Sequence, residues 1–89
     1  MRNLTAAQFT ALTALREAQR DSAKGGNFRH FFTAEELGGV SGSALAALIR
    51  KGLVERAPHH LSDYVYGYAP RYGIKGLGIA RLSRIEREG

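Results

Sequence analysis

Glycines divide this chain into short segments, and that limits the length of any helix or strand it forms. Gly25-Gly26, Gly38-Gly39 and Gly52 each follow a stretch in which apolar residues recur. Glycine adopts left-handed backbone conformations at little steric cost, so it commonly ends helices. We therefore expect several short elements packed around one small core.

The chain length allows a single core. With 89 residues, we place one domain over positions 1–89. A core of this size leaves little room for a deep substrate cavity, and no Ser, His and Asp arrangement indicates catalysis. The absence of cysteine excludes disulfides, thiolate nucleophiles and cysteine-based metal sites. We expect a protein that is not an enzyme and uses no cofactor.

The charge balance favours a polyanionic partner. Thirteen Lys and Arg residues against eight Asp and Glu residues give a net charge of +5. No apolar run approaches the roughly 18–20 residues that span a bilayer, and the amino terminus lacks a signal-peptide core. We expect an intracellular protein, cytoplasmic or nucleoid-associated, with no membrane partner.

The first segment, residues 4–20, predicts an amphipathic helix with Thr5 or Asn3 as its N-cap. Two aromatic residues end the next stretch, 28–32, which predicts a brief strand or an extended strap over the core. Residues 33–36 have the form of a capping box and predict the start of a short second helix.

A third helix follows, capped by Ser41 or Ser43, running to Lys51 and closed by Gly52. Residues 53–56 and 64–68 then resemble the two strands of a hairpin, since the connection between them contains a proline and an aspartate. A last helix is predicted from about residue 77, with an uncertain start because glycines precede it.

When residues 43–51 are placed on a helical wheel, at about 100° of rotation per residue, they form two distinct faces. The arc predicted to face the core holds Ala44, Leu45, Leu48 and Ile49. The opposite arc holds Ser43, Ala46, Ala47, Arg50 and Lys51. Small side chains allow close approach to a groove, while hydroxyl and guanidinium groups bind phosphates or base edges.

The run LIRKGLVER at 48–56 resembles the end of the recognition helix and the first wing strand of winged helix-turn-helix transcription regulators. TAEEL at 33–37 resembles the opening of their preceding helix, and the other elements follow the order of that family. The resemblance implies an α+β, mainly helical fold with three core helices, a small β-wing and a C-terminal helix. It places the helix-turn-helix at about 33–52, the wing at about 53–69 and the last helix at about 77–88.

The function implied by the resemblance is binding of double-stranded DNA, as a small transcriptional regulator. Segment 43–51 would enter the major groove, and the hairpin would lie along the backbone. Arg50 would make the most base or phosphate contact. The residues expected to bind DNA are Ser41, Ser43, Ala46, Ala47, Arg50, Lys51, Arg56, His59 and His60. A homodimer is a further expectation.

Two other functions stay open. The recognition face carries little charge and the wing loop is poor in Lys and Arg, which favours a winged-helix protein–protein interaction module, such as an adaptor or inhibitor. The row Tyr64, Tyr66 and Tyr68 would share one face of a strand. We expect this row to pack over the hairpin partner and the first helix, with stacking on RNA bases as the alternative. No metal is expected at His59-His60, because adjacent residues in an extended loop point to opposite sides.

Overall fold

A computed structural model describes residues 4–58 and 70–88 of the chain. The elements in this part are α1 (Ala6–Lys24), β1 (Phe32–Thr33), α2 (Gly42–Arg50), β2 (Val54–Arg56), β3 (Arg71–Ile74) and α3 (Gly76–Glu88). Three helices and a three-stranded antiparallel sheet among these residues confirm the coarse α+β class.

Helix α1 begins with a reciprocal cap and continues beyond its predicted end. The Thr5 hydroxyl accepts from the Gln8 amide at 3.1 Å, and the Gln8 side chain accepts from the Thr5 amide at 3.2 Å. The helix runs four residues past position 20 because nothing interrupts it before Gly25. Gly26 then takes a φ of +82°. The fully buried face of α1 consists of Ala11, Leu12 and Leu15.

The predicted second helix is a single hydrogen-bonded turn, which corrects the expectation of a helix beginning at Thr33. The capping box itself forms, since Glu36 accepts from the Thr33 amide at 2.9 Å and donates its own amide to the Thr33 hydroxyl at 3.1 Å. Gly38 and Gly39 then adopt φ values of +92° and +79°. The Gly39 amide bonds back to the Ala34 carbonyl at 2.9 Å, which closes the turn before a helix develops.

Helix α2 confirms the predicted division into two faces. Of the two serines proposed as its cap, Ser41 is the N-cap and accepts from the Ala44 amide at 3.3 Å. Ile49 is half-buried and packs against the core, and Gly52 ends the segment at a φ of +78°. The buried residues of α2 are Ala44, Leu45 and Leu48.

The sheet has the strand order β1-β3-β2, so β3 is the central strand. Phe32 pairs with Tyr72, and Val54 pairs with Ile74, both in antiparallel register. The described partner of β2 therefore lies at residues 71–74, beyond the predicted wing. The strand predicted at 64–68 lies outside the described residues. A four-residue strand that contains a glycine has little sequence signal, which explains why β3 is not predicted.

Gly73 sits where another segment crosses the sheet. Side chains alternate along a strand, so Gly73 faces away from buried Ile74 and the core. A Cβ at Gly73 would lie 2.7 Å from ring atoms of His30 and 2.8 Å from its carbonyl oxygen. The extended segment 27–31, the strap, thus lies on the outer face of the sheet. This corrects the expectation of a strap over the core at 28–32, because Gly73, which has no side chain, leaves room for His30 on the side away from the core.

The core lies between α1, α2, α3 and the inner face of the sheet. Its contributors include Leu12, Leu15, Phe32, Leu45, Leu48, Leu53, Val54, Ile74 and Leu82. Helix α3 begins at Gly76, one residue before its predicted start. It buries Leu82 and leaves Leu77 exposed.

Gly78 allows α3 to approach the core closely. A Cβ there would overlap the Leu53 carbonyl oxygen and would lie 2.8 Å from Ile74 Cγ1. Gly78→Ala should therefore lower the free energy of unfolding by about 1–3 kcal/mol, because backbone and core atoms must shift. Urea denaturation measures this loss.

Gly76→Ala is the matched control, since a Cβ at the first residue of α3 meets nothing within 4 Å. We expect it to leave stability unchanged or slightly raised. Equal stability of the two variants would contradict the close approach at Gly78.

Candidate nucleic-acid interface

The outward face of α2 carries five of the residues predicted to bind DNA. Ser43, Arg50 and Lys51 are exposed, and Ala46 and Ala47 are half-buried. From Ser43 to Arg50 the helix rises about 10 Å, at 1.5 Å per residue. The face therefore presents a hydroxyl at one end, small side chains in the middle and two cationic residues at the other end.

The two serines at the start of α2 interact with each other. Their hydroxyl oxygens lie 2.9 Å apart, and both residues are exposed. Ser41 Oγ also accepts from the Ala44 amide as the N-cap. Replacing Ser41 would thus weaken the helix itself, whereas Ser43 has an exposed hydroxyl that does not cap the helix.

Of the other predicted contacts, Arg56 does not belong to α2. Arg56 is exposed at the end of β2, where it pairs with Tyr72 of β3. His59 and His60 lie outside the described residues. The described structure thus brings the α2 residues together on one face and places Arg56 on a separate element.

A second polar cluster lies on the outer face of the sheet, and the sequence does not predict it. Arg29 Nη2 contacts Glu36 Oε1 at 3.0 Å, and Arg71 Nη1 lies 3.9 Å from the same oxygen. Arg71 is only 8% exposed. The pairing of Thr33 with Arg71 between β1 and β3 brings this arginine towards the capping-box turn. Because β3 is not evident from the sequence, neither is the cluster.

The pKa of Glu36 lies below its usual value of 4.5. Partial burial raises it, but the hydrogen bond from the Thr33 amide and the positive charges of Arg29 and Arg71 together lower it by more. Ionised Glu36 therefore stabilises the folded state. This stabilisation is fully present above pH 4.5 and is lost as the pH falls through the lower folded-state pKa.

Glu36→Gln should lower the melting temperature at pH 7, and the difference from the unsubstituted protein should shrink as the pH falls below about 4.5. Because the Glu36 side chain is 38% exposed, solvent limits the effect to less than about 1 kcal/mol. Thermal unfolding between pH 3 and pH 7 measures it. Glu35→Gln, at the exposed neighbouring carboxylate, is the control, and an equal pH dependence in both variants would contradict the assignment.

His30 is held in a chain of hydrogen bonds whose direction can be derived. Arg16 donates to Gln19 Oε1 at 3.1 Å, since a guanidinium has no acceptor. The Gln19 amide nitrogen therefore faces His30 Nδ1, at 3.2 Å, and donates to it. His30 Nε2 lies 2.8 Å from Glu55 Oε2 and must carry the proton. The chain links α1, the strap and β2 through one imidazole.

The neutral His30 ring should therefore be the Nε2–H tautomer. Two-bond ¹H–¹⁵N correlation spectra at pH 8 distinguish the protonated ring nitrogen from the unprotonated one. A proton on Nδ1 would show that the direction derived for the chain is wrong.

Comparisons with protein-family models, curated proteins and solved structures find no match to this chain. In the described ranges, 4–58 and 70–88, no group of three His, Cys, Asp or Glu residues could hold a metal ion. None of the helices in these ranges is long and apolar enough to cross a bilayer.

Proposed function

We propose that this protein binds double-stranded DNA through α2, as a small transcriptional regulator of the winged helix-turn-helix type. The order of its elements supports the fold assignment. An N-terminal helix precedes a brief strand, a capped turn and α2, and two paired strands and a last helix follow. The resemblance at 33–37 and 48–56 implies the same order, except that it places a helix where the structure has the capped turn.

The arrangement of the sheet is also compatible with a wing. Strands β2 and β3 are antiparallel neighbours, and residues 57–70 connect them. The same sheet joins β1, just before the capped turn, to the central strand β3. A hairpin attached beside α2 in this way could lie along a DNA backbone while the helix enters the groove.

The observation that carries the DNA proposal is the outward face of α2. Because Leu45 and Leu48 are fully buried, the opposite side of the helix faces away from the core. The major groove, about 12 Å wide, admits an α-helix, and the small Ala46 and Ala47 would allow close approach. Arg50 at the end of the face would bind a guanine edge or a phosphate.

Arg50→Ala combined with Lys51→Ala should weaken binding to mixed-sequence duplex DNA. It should also reduce the slope of log affinity against log salt by roughly one to two, since each phosphate contact contributes about 0.9. Fluorescence anisotropy at several salt concentrations measures both quantities.

Arg84→Ala combined with Arg87→Ala is the matched control. It removes the same charge from exposed positions of α3. If both double variants lose affinity and slope equally, the effect reflects net charge, and the assignment to α2 is wrong.

One observation favours the alternative of a protein–protein interaction module. The amino end of α1 and the carboxyl half of α3 form a largely apolar pocket of about 250 Å³, lined by Leu4, Thr5, Ala6, Phe9 and Ile85. Exposed apolar surface of this kind often marks protein contacts. Absence of duplex binding at low salt in the same titration would favour this alternative over DNA binding.

A further inference from the structure

His30 lies at the junction of α1, the strap and the sheet, and its ring is held in place from several sides. The imidazole packs against Gly73, where an added Cβ would lie 2.7 Å from ring atoms. The Phe31 ring meets it edge-on, with the two centroids 4.7 Å apart and the planes at 77°. Because packing fixes the position of the ring, a change in its hydrogen bonds must be accommodated by its partners.

Charged groups approach the ring from every element packed against it. They are Glu55 of β2, Arg16 of α1, Arg29 of the strap, Arg71 of β3, and Glu36, which contacts the last two. The Glu55 carboxylate bonds to the ring directly, whereas the Gln19 side chain lies between the ring and Arg16. The state of this chain of hydrogen bonds depends on which atoms are donors and which are acceptors, and not on the sum of the charges.

With a neutral ring, each donor in the chain faces an acceptor. Arg16 donates to Gln19 Oε1, and the Gln19 amide nitrogen donates to His30 Nδ1. At the other side of the ring, His30 Nε2–H donates to Glu55. A guanidinium only donates and a carboxylate only accepts, so neither end of the chain can reverse. The Gln19 amide, which has a donor and an acceptor side, is the member that can turn over.

Protonation of His30 breaks this match at one contact. A charged imidazole donates from both ring nitrogens, so Nδ1–H would face the donating Gln19 nitrogen at 3.2 Å. The bond to Glu55 is kept, because a charged donor strengthens it. Since the ring is packed in place, the conflict is relieved when the Gln19 amide turns over and presents Oε1 to Nδ1–H.

The turned amide moves the conflict to Arg16. The Gln19 nitrogen then faces the Arg16 guanidinium, and two donors cannot bond to each other. We propose that protonation of His30 turns over the Gln19 amide and releases Arg16 from it, which makes the junction of α1 and the sheet a proton-sensitive switch. Histidine is the residue type whose charge ordinarily changes between about pH 5 and pH 8. No residue of α2 takes part in the chain, so the switch is independent of the proposed DNA binding.

The test follows the charge of His30 and the bond of Arg16 in one ¹⁵N-labelled sample as the pH is lowered from 8 to 5. The ring ¹⁵N shifts show when His30 is neutral and when it is charged. We expect a nitrogen–nitrogen coupling across the Gln19–His30 hydrogen bond with the neutral ring, and its loss with the charged ring. The Arg16 guanidinium protons should lose their protection from exchange with water, measured against those of Arg20, which is exposed on the same helix.

Gln19→Glu is the variant that removes the need for a turn. A carboxylate at this position accepts from Arg16 and from the charged ring at the same time, so Arg16 should stay protected at both pH values. Gln8→Glu is the matched control, because it adds the same charge to α1 at a capping position that glutamate also serves. It should leave the release of Arg16 intact. The chain has only these two glutamines, so the two variants also assign the side-chain amide signals.

His30→Gln removes the titrating ring, and the protection of Arg16 should then no longer depend on pH. The same spectra show whether each variant is folded. Unchanged protection of Arg16 when the ring becomes charged in the unsubstituted protein would overturn the switch, even if the coupling to Gln19 is lost. A pH-dependent loss of Arg16 protection of equal size in Gln19→Glu or His30→Gln would also overturn it.

Discussion

The burial of Leu45 and Leu48 is the constraint on which the proposed DNA-binding surface depends. Helix α2 has nine residues, and isolated helices shorter than roughly 12–15 residues are marginal in water. Its stability therefore comes from packing in the core that it shares with Leu12 and Leu15 of α1. The same packing sets the rotation of α2, so the small and cationic residues lie on the opposite side.

The sheet depends on close approaches that two glycines allow. At Gly73 the strap crosses the outer face of β3, and at Gly78 helix α3 meets the Leu53 carbonyl. The inner face of the sheet then completes the core. Its outer face holds the polar groups that the core excludes, the hydrogen-bond chain through His30 and the charged cluster around Glu36. The fold thus has polar surfaces on two different elements, α2 and the outer sheet face.

The features that could be predicted from the sequence have local causes. The two faces of α2, the reciprocal bonds of Thr33 and Glu36, and the extent of α3 all follow from residues close together in the chain. The central strand β3 could not be predicted from its own residues. Glycine is unfavourable in a strand, and Gly73 is required there only because His30, which is distant in sequence, packs against it. Likewise, Arg71 reaches Glu36 only through the β1–β3 register. Segment 34–38 has a helical start signal, but two left-handed glycines end it after one turn.

The central claim is that the outward face of α2 contacts DNA. Its most direct test labels a single introduced cysteine, which is possible because the chain has no cysteine of its own. Ser43→Cys and Ser83→Cys each introduce one thiol at an exposed position, the first on α2 and the second on α3. The rate of thiol modification is measured with and without saturating duplex DNA. The account predicts that DNA slows modification at position 43 several-fold and leaves position 83 unchanged. Unchanged modification at position 43 under saturating DNA would contradict it.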